Sequence, residues 1–115
     1  MKIVKREDAV KIQNSDQCHV LEYPFDEKDI NGSVIAINGR YPESGYAMNE
    51  VCKEIVYIIK GSGTLGLADG STSTFSEGDS LFIDTNEKFY WQGNFESYMV
   101  CTPAFYPEQH KEIES

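Results

Sequence analysis

Short runs of β-branched, aliphatic and aromatic residues recur along most of the chain and are separated by Gly, Asp and Asn. The runs span residues 18–23, 33–37, 54–60, 64–67, 72–75, 80–83, 89–92 and 95–102. Such regular alternation between strand-forming runs and turn residues is typical of a sandwich or barrel. The pattern therefore predicts an all-β fold with residues 54–60 as a central strand.

Turn signals lie between these runs, at residues 31–32, 61–63, 69–70, 77–79 and 93–94. Asn-Gly and Asp-Gly favour tight hairpins because both residues tolerate positive φ. Sequential strands are therefore predicted to pair antiparallel. Helical signal is weak and limited to residues 7–12 and 107–113, which predicts short terminal helical segments. We interpret the chain as one domain, 1–115, with a barrel core at about 18–105.

Charge and cysteine content exclude several classes of function. The chain has 19 acidic and 10 basic residues, a net charge of −9 that repels nucleic acid and anionic membrane surfaces. The N-terminus is charged, and no apolar run approaches the roughly 20 residues that span a bilayer. Three widely spaced cysteines form neither a full disulfide set nor a metal clip. We expect a cytoplasmic protein without nucleic-acid or membrane partners.

Residues 54–64 carry the most specific motif of the sequence. A Glu at 54 is followed after six residues by Gly61, and Gly78-Asp79 comes further along the chain. This arrangement, over roughly residues 32–105, resembles the cupin family, whose first signature is His-x-His, three or four residues, Glu, six residues and Gly. The resemblance implies a cupin-type antiparallel β-barrel, also called a double-stranded β-helix or jelly roll.

The metal-binding histidines of the resembled family are missing. With three residues before Glu54, the two histidine positions are Met48 and Glu50; with four, they are residues 47 and 49, Ala and Asn. The third position is Phe89, and the histidines at 19 and 110 lie outside both signatures. Zn, Fe, Ni and Cu favour N or S donors. We therefore predict no metal and no cofactor, with a hard cation on the two glutamates as the less favoured alternative.

Strand periodicity indicates which side chains share the lumen. If Glu54 points inward, Val56 and Ile58 do so too, and Phe89 shares a face with Trp91. On the family alignment, these faces line the lumen. The candidate ligand-binding residues are Met48, Glu50, Glu54, Phe89 and Trp91. The alternative is a filled barrel in which the aromatic residues are core and the glutamate pairs with Lys53, Tyr90 or a backbone donor.

Three functions are compatible with this interpretation. The first is metal-independent binding of a small polar or sugar-like ligand in the lumen. The second is a cupin enzyme of the isomerase or epimerase type, for which the resemblance implies a lumenal histidine base that the sequence does not show. The third is a structural or interaction module with a filled barrel. Whether the chain is an enzyme stays open at this point.

The two ends of the chain carry further expectations. Small cupins commonly pair through their N-terminal strands, so the resemblance implies a homodimer that uses the apolar side chains of Ile3, Val4, Val10 and Ile12. His110 follows a short apparent helix after Pro107 and is expected to cap it rather than to cover the barrel mouth.

Overall fold

The computed structural model describes residues 1–114, which form nine strands within this range in one antiparallel sheet. The strands are β1 (Val10–Ser15), β2 (Cys18–Tyr23), β3 (Asn31–Tyr41), β4 (Tyr46–Asn49), β5 (Lys53–Leu67), β6 (Thr72–Ser76), β7 (Ser80–Ile83), β8 (Phe89–Thr102) and β9 (His110–Ile113). No helix in the described part of the chain has the length and hydrophobicity to cross a membrane.

Strand β8 is the centre of the sheet. It pairs along its length with β3 on one edge and with β5 on the other, and β2 and β1 extend the sheet beyond β3. Strands β6 and β7 pair with β5, while β4 continues beside the start of β8 and pairs with β9. The sheet curls into a half-barrel, which confirms the cupin-type all-β prediction.

The inner face follows the predicted alternation. On β5, Glu54, Val56 and Ile58 are buried, whereas Ile55 and Tyr57 are about half exposed, at 54% and 51%. A bulge between residues 58 and 60 then reverses this parity, so the next inward residues of β5 are odd-numbered. The core consists of inward residues from both long strands and their neighbours: Cys18, Ile37, Tyr41, Ala47, Val56, Ile58, Leu65, Phe75, Ile83, Phe89, Trp91, Phe95 and Met99.

Three of the predicted glycine turns are wrong. Residues 31–32 lie inside β3 and pair with residues 100–101 of β8. Residues 61–63 lie inside β5 and pair with residues 93–95 inside β8, so two predicted pairs of short strands are each one long strand. Gly61 has φ +86 and Gly93 has φ +152, and a Cβ on Gly93 would lie 2.5 Å from the Cα of Gly63. These glycines let two backbones approach closely where the sheet bends. The turns at residues 69–70 and 77–79 are confirmed.

The terminal segments are more extended than predicted. Helix is limited to single 3₁₀ turns, Arg6–Asp8 and Pro107–Gln109, and the residues after each turn are the strands β1 and β9. Strand β1 pairs with β2 and β9 pairs with β4. The sequence alone does not indicate these pairings. Because β9 pairs with β4, His110 lies at the inner face of the sheet.

Candidate functional site

A cavity of about 420 Å³ opens on the inner face of the half-barrel. Its walls are mainly apolar and aromatic, and a few polar side chains converge on it. The apolar walls include Val20, Ile35, Ile37, Phe89, Trp91 and Met99, and the polar groups include Glu54, Tyr41, His110 and Glu112. A cavity of this size and chemistry is typical of small-molecule sites, which combine apolar walls with a few placed polar groups.

Glu54 is the buried carboxyl of this cavity. It is only 4% exposed, and burial raises its pKa from 4.5 to about 7, against a smaller lowering by Asn49 and Cys101. The Sγ of Cys101 donates a weak hydrogen bond to Oε2 at 3.8 Å, while Oε1 has no partner among the described residues. The carboxyl can therefore be neutral near pH 7 and can either donate or accept a hydrogen bond.

The predicted partners of Glu54 are replaced by others. Lys53 points to the surface, where it lies 3.8 Å from Asp84, and Tyr90 lies on the other side of the sheet against Gly66. The nearest polar group is the carboxamide of Asn49, whose Nδ2 has no hydrogen bond of good geometry within the described chain. The Oε1 of Glu54, which lines the cavity, and the Nδ2 of Asn49 are thus two buried polar atoms without a hydrogen bond in the described chain, which is costly in an apolar interior.

Two of the five predicted lumenal residues do not reach the cavity. On β4, Ala47 and Asn49 are inward and almost fully buried, so Met48 and Glu50 face the other way. Glu50 is exposed and lies 3.9 Å from Lys111 on the surface. Counting four residues before Glu54 gives the inward positions, and counting three gives the outward ones. The expectation that Met48 and Glu50 line the lumen is therefore wrong.

The other three predicted residues, Glu54, Phe89 and Trp91, do line the cavity. The two aromatic residues also belong to the core: Trp91 packs edge-on against Phe75 at 5.6 Å between ring centroids and against Phe89 at 6.3 Å. Both side chains are 3% exposed and belong to the core, while they also form part of the cavity lining. Their binding of a ligand stays a prediction.

Tyr41 and His110 are the site residues that sequence reasoning missed. The two rings stack with an angle of 13° and centroids 6.4 Å apart, and the Tyr41 hydroxyl is 3.2 Å from Nε2 of His110. His110 closes the 3₁₀ turn with its backbone N–H, while its side chain lines the cavity. A lumenal histidine is therefore present, contrary to the expectation drawn from the family signatures.

A metal of the usual cupin type does not fit the side chains at the family positions. Ala47 and Phe89 offer no donor, and the Oδ1 of Asn49 already faces Gln109 and His110. Glu54 alone retains a ligand group there, and residues 1–114 contain no cluster of three His, Cys, Asp or Glu side chains arranged to hold an ion. Glu50 is exposed beside Lys111 whereas Glu54 is buried, so the two carboxyl groups do not form the alternative two-carboxylate site.

Comparison with known proteins agrees with the fold. The sequence profile described as the EutQ-like cupin domain matches residues 40–112, which is more than half of the chain. Among curated proteins, none matches the sequence. The match extends past His110, so it includes the C-terminal strand that carries this side chain.

Several solved structures have the same fold at low sequence identity. Pac13 of Streptomyces, a nucleoside dehydratase studied with uridine, has a TM-score of 0.87 at 13% identity, over 99% of this chain and 92% of Pac13. Ectoine synthase from P. lautus has a TM-score of 0.76 at 17% identity, over 100% and 91% of the two chains. The polyketide cyclase RemF from Streptomyces resistomycificus has a TM-score of 0.70 at 19% identity, over 95% of this chain and 89% of RemF. At these identities the likeness shows the fold alone.

Proposed function

Since the chain belongs to the EutQ-like cupin domain family, we propose that it binds a small polar ligand, sugar-like or nucleoside-like, in the barrel lumen without a metal. The observation that carries this proposal is the carboxyl of Glu54, buried at the wall of a 420 Å³ cavity with Oε1 unpaired. A buried polar atom without a partner is costly. A ligand hydroxyl or amine would supply the missing hydrogen bond.

The walls of the cavity suit a ligand with one flat face. Trp91 and Phe89 offer aromatic surface, while Glu54, Tyr41 and His110 offer hydrogen bonds to hydroxyl groups. The open volume favours a binding site over a filled barrel that acts only as an interaction module. The structures of Pac13 with uridine support a ligand of this class, because that protein has the same fold.

A second candidate, an enzyme that uses acid–base chemistry, is favoured by one specific observation. Glu54, with a pKa raised to about 7, and His110, with a pKa lowered by burial, line the same cavity. One group can hold a proton and the other can accept one at neutral pH, which is the pairing that elimination and isomerisation require. The dehydratase, synthase and cyclase named above support this class.

Titration of the single tryptophan tests ligand binding. Trp91 is the only Trp of the chain and lines the cavity, so its fluorescence should change when a ligand enters. We expect saturable quenching by at least one compound of a set comprising uridine, cytidine, ribose, glucose and glucosamine. Glu54→Gln should weaken it, whereas Glu50→Gln, on the surface, should not. No saturable change with any of the five would contradict the sugar-like or nucleoside-like class.

We also propose that the protein is a cytoplasmic homodimer without nucleic-acid or membrane partners. The three free cysteines are all buried, which suits a reducing compartment, and the net charge of −9 disfavours polyanions. Ile3 and Val10 are 69% and 50% exposed, and β1 pairs only with β2, so one edge of this strand is available to a second copy.

A further inference from the structure

The orientation of one buried amide determines the chemistry of the histidine in the cavity. Gln109 is 1% exposed, and its Oε1 accepts hydrogen bonds from the backbone N–H groups of Val51 at 3.2 Å and Cys52 at 3.0 Å. Backbone N–H groups can only donate, so the atom that faces them must be the oxygen. The Nε2 of Gln109 therefore points the other way, where it donates to Asn49 at 2.9 Å.

This amide in turn fixes the next two groups. Because Gln109 donates, the Asn49 atom that it meets is Oδ1, an acceptor. The same Oδ1 lies 3.1 Å from Nδ1 of His110, so this ring nitrogen must carry a proton. In a neutral ring Nε2 is then the acceptor, and the hydroxyl of Tyr41, 3.2 Å away, donates to it. The chain of donors and acceptors leaves one consistent tautomer for His110.

We propose that Tyr41 and His110 form a proton relay, and that Gln109 and Asn49 are the residues that position it. This inference deepens, and rests on, the proposed lumenal binding of a small polar molecule. The Tyr41 oxygen takes a proton from the bound molecule while its own hydroxyl proton passes to Nε2 of His110. The electron pair of the broken C–H bond moves onto the adjacent carbonyl oxygen to give an enolate, Tyr41 is regenerated, and His110 becomes an imidazolium whose charge balances the enolate. The same relay in reverse returns the proton to a carbon of the enolate, which leaves the bound molecule isomerised and His110 neutral.

The charges around the relay favour this concerted route. Burial raises the pKa of Tyr41 far above its ordinary value, and Glu112 and Glu54 raise it further, so a free tyrosinate is disfavoured. Burial lowers the pKa of His110, which keeps the ring neutral and able to accept, while Glu112 on the same strand favours the imidazolium once it forms. The other groups against the ring, Tyr41, Asn49 and Phe105, carry no charge near neutral pH.

The lining of the cavity also limits the class of substrate. Glu22 and Glu112 line it beside Glu54, so an anionic molecule would be repelled by their carboxylates. The relay needs a proton that a histidine can draw off at neutral pH. The class that fits is an uncharged polar molecule with a carbonyl group beside the C–H bond that is broken.

The tautomer can be measured directly by long-range ¹H–¹⁵N correlation on the uniformly labelled protein at pH 7.5. The chain has only two histidines, and His19 is exposed, so it serves as an internal reference in the same spectrum. For His110 we expect a protonated Nδ1, an unprotonated Nε2 and a slowly exchanging Tyr41 hydroxyl proton with a nuclear Overhauser contact to the ring. An Nε2–H tautomer, or a fully charged imidazolium, would overturn the relay.

Two variants separate positioning from mere packing. In its ionised form, at pH 9, Gln109→Glu presents only acceptors. Asn49 must then turn its Nδ2 toward residue 109 and His110, and the tautomer should reverse to Nε2–H. Asn49→Asp keeps an acceptor at Nδ1, so the tautomer should be retained. A general loss of packing would not reverse the His110 tautomer in Gln109→Glu and retain it in Asn49→Asp. The same tautomer in both variants would contradict the positioning role of Gln109 and Asn49. Trp91 quenching is measured separately, so failure of ligand binding is distinguishable from failure of the relay.

Discussion

The carboxamide of Asn49 lies between His110 and Glu54. Its Oδ1 is 3.1 Å from Nδ1 of the histidine, and its Nδ2 is close enough to the carboxyl to lower the pKa of Glu54. One amide thus links groups from β4, β5 and β9, three strands that are separated along the chain. Asn49 occupies one of the two alternative histidine positions of the family signature.

Glu54→Gln should change the pH dependence of stability. The pKa of Glu54 rises from 4.5 when unfolded to about 7 when folded, so the folded state binds more protons between these values. Its contribution to stability is complete below about pH 4.5 and is lost as the pH rises through 7, by roughly 3 kcal/mol. In urea unfolding, the free energy of unfolding of Glu54→Gln minus that of the wild type should be larger at pH 8 than at pH 5.

The matched control for this experiment is Glu50→Gln, which removes an exposed carboxylate near Lys111. For this variant we expect the free energy of unfolding to differ from that of the wild type by the same amount at pH 5 and at pH 8. The interpretation of Glu54 as a desolvated carboxyl would be wrong if its variant also showed no dependence on pH, or if Glu54→Gln were destabilised more at pH 8 than at pH 5.

Metal analysis of the purified, tag-free protein should find no stoichiometric transition metal. The reason is the donor set, since Ala47, Asn49 and Phe89 occupy three positions where the family has histidine. Inductively coupled plasma mass spectrometry after dialysis, without chelator, makes this measurement. About one equivalent of Zn, Fe or Ni that is lost in Glu54→Gln would show that the cavity holds an ion after all.

Gly61→Ala should destabilise the protein much more than Gly70→Ala. Both glycines have similar positive φ, +86 and +92, so both substitutions introduce backbone strain of about 1 kcal/mol. A Cβ on Gly61 would also collide with the carbonyl oxygen of Asn94 on β8, whereas nothing lies within 4 Å of a Cβ on Gly70. We expect Gly61→Ala to lower the free energy of unfolding by about 3 kcal/mol. Equal losses in thermal unfolding would mean that the approach of β5 to β8 is not tight.

Sedimentation velocity should show a dimer at micromolar concentration. If the N-terminal strand is the interface, Val10→Lys places a charge on its exposed apolar surface and should shift the protein to monomer. The matched control is Phe82→Lys, because Phe82 is 57% exposed on β7, away from this strand. A monomeric wild type would refute the dimer, and dissociation by Phe82→Lys alone would move the interface to the outer face of β5 and β7.

The sequence by itself determined the type of fold and part of the site. Alternation within one uninterrupted strand is a local property, so Val56 and Ile58 were placed on the same face as Glu54, while the resemblance to the family indicated that this face is the inner one. For the same reason Phe89 and Trp91 were placed together correctly. The spacing from Glu54 to Gly61, together with Gly78-Asp79, was sufficient to indicate the family.

Only the tertiary structure decided the remaining features, because they depend on what happens between strands. Three residues separate β4 from β5 and break the alternation, so parity could not be carried back from Glu54 to Met48 and Glu50. Close approach to β8, rather than a turn, accounts for Gly61, and this requires knowledge of the partner strand. His110 enters the cavity because β9 pairs with β4 in a register that no local pattern encodes. Long-range pairing therefore brings His110 to the cavity that Glu54 and Tyr41 also line.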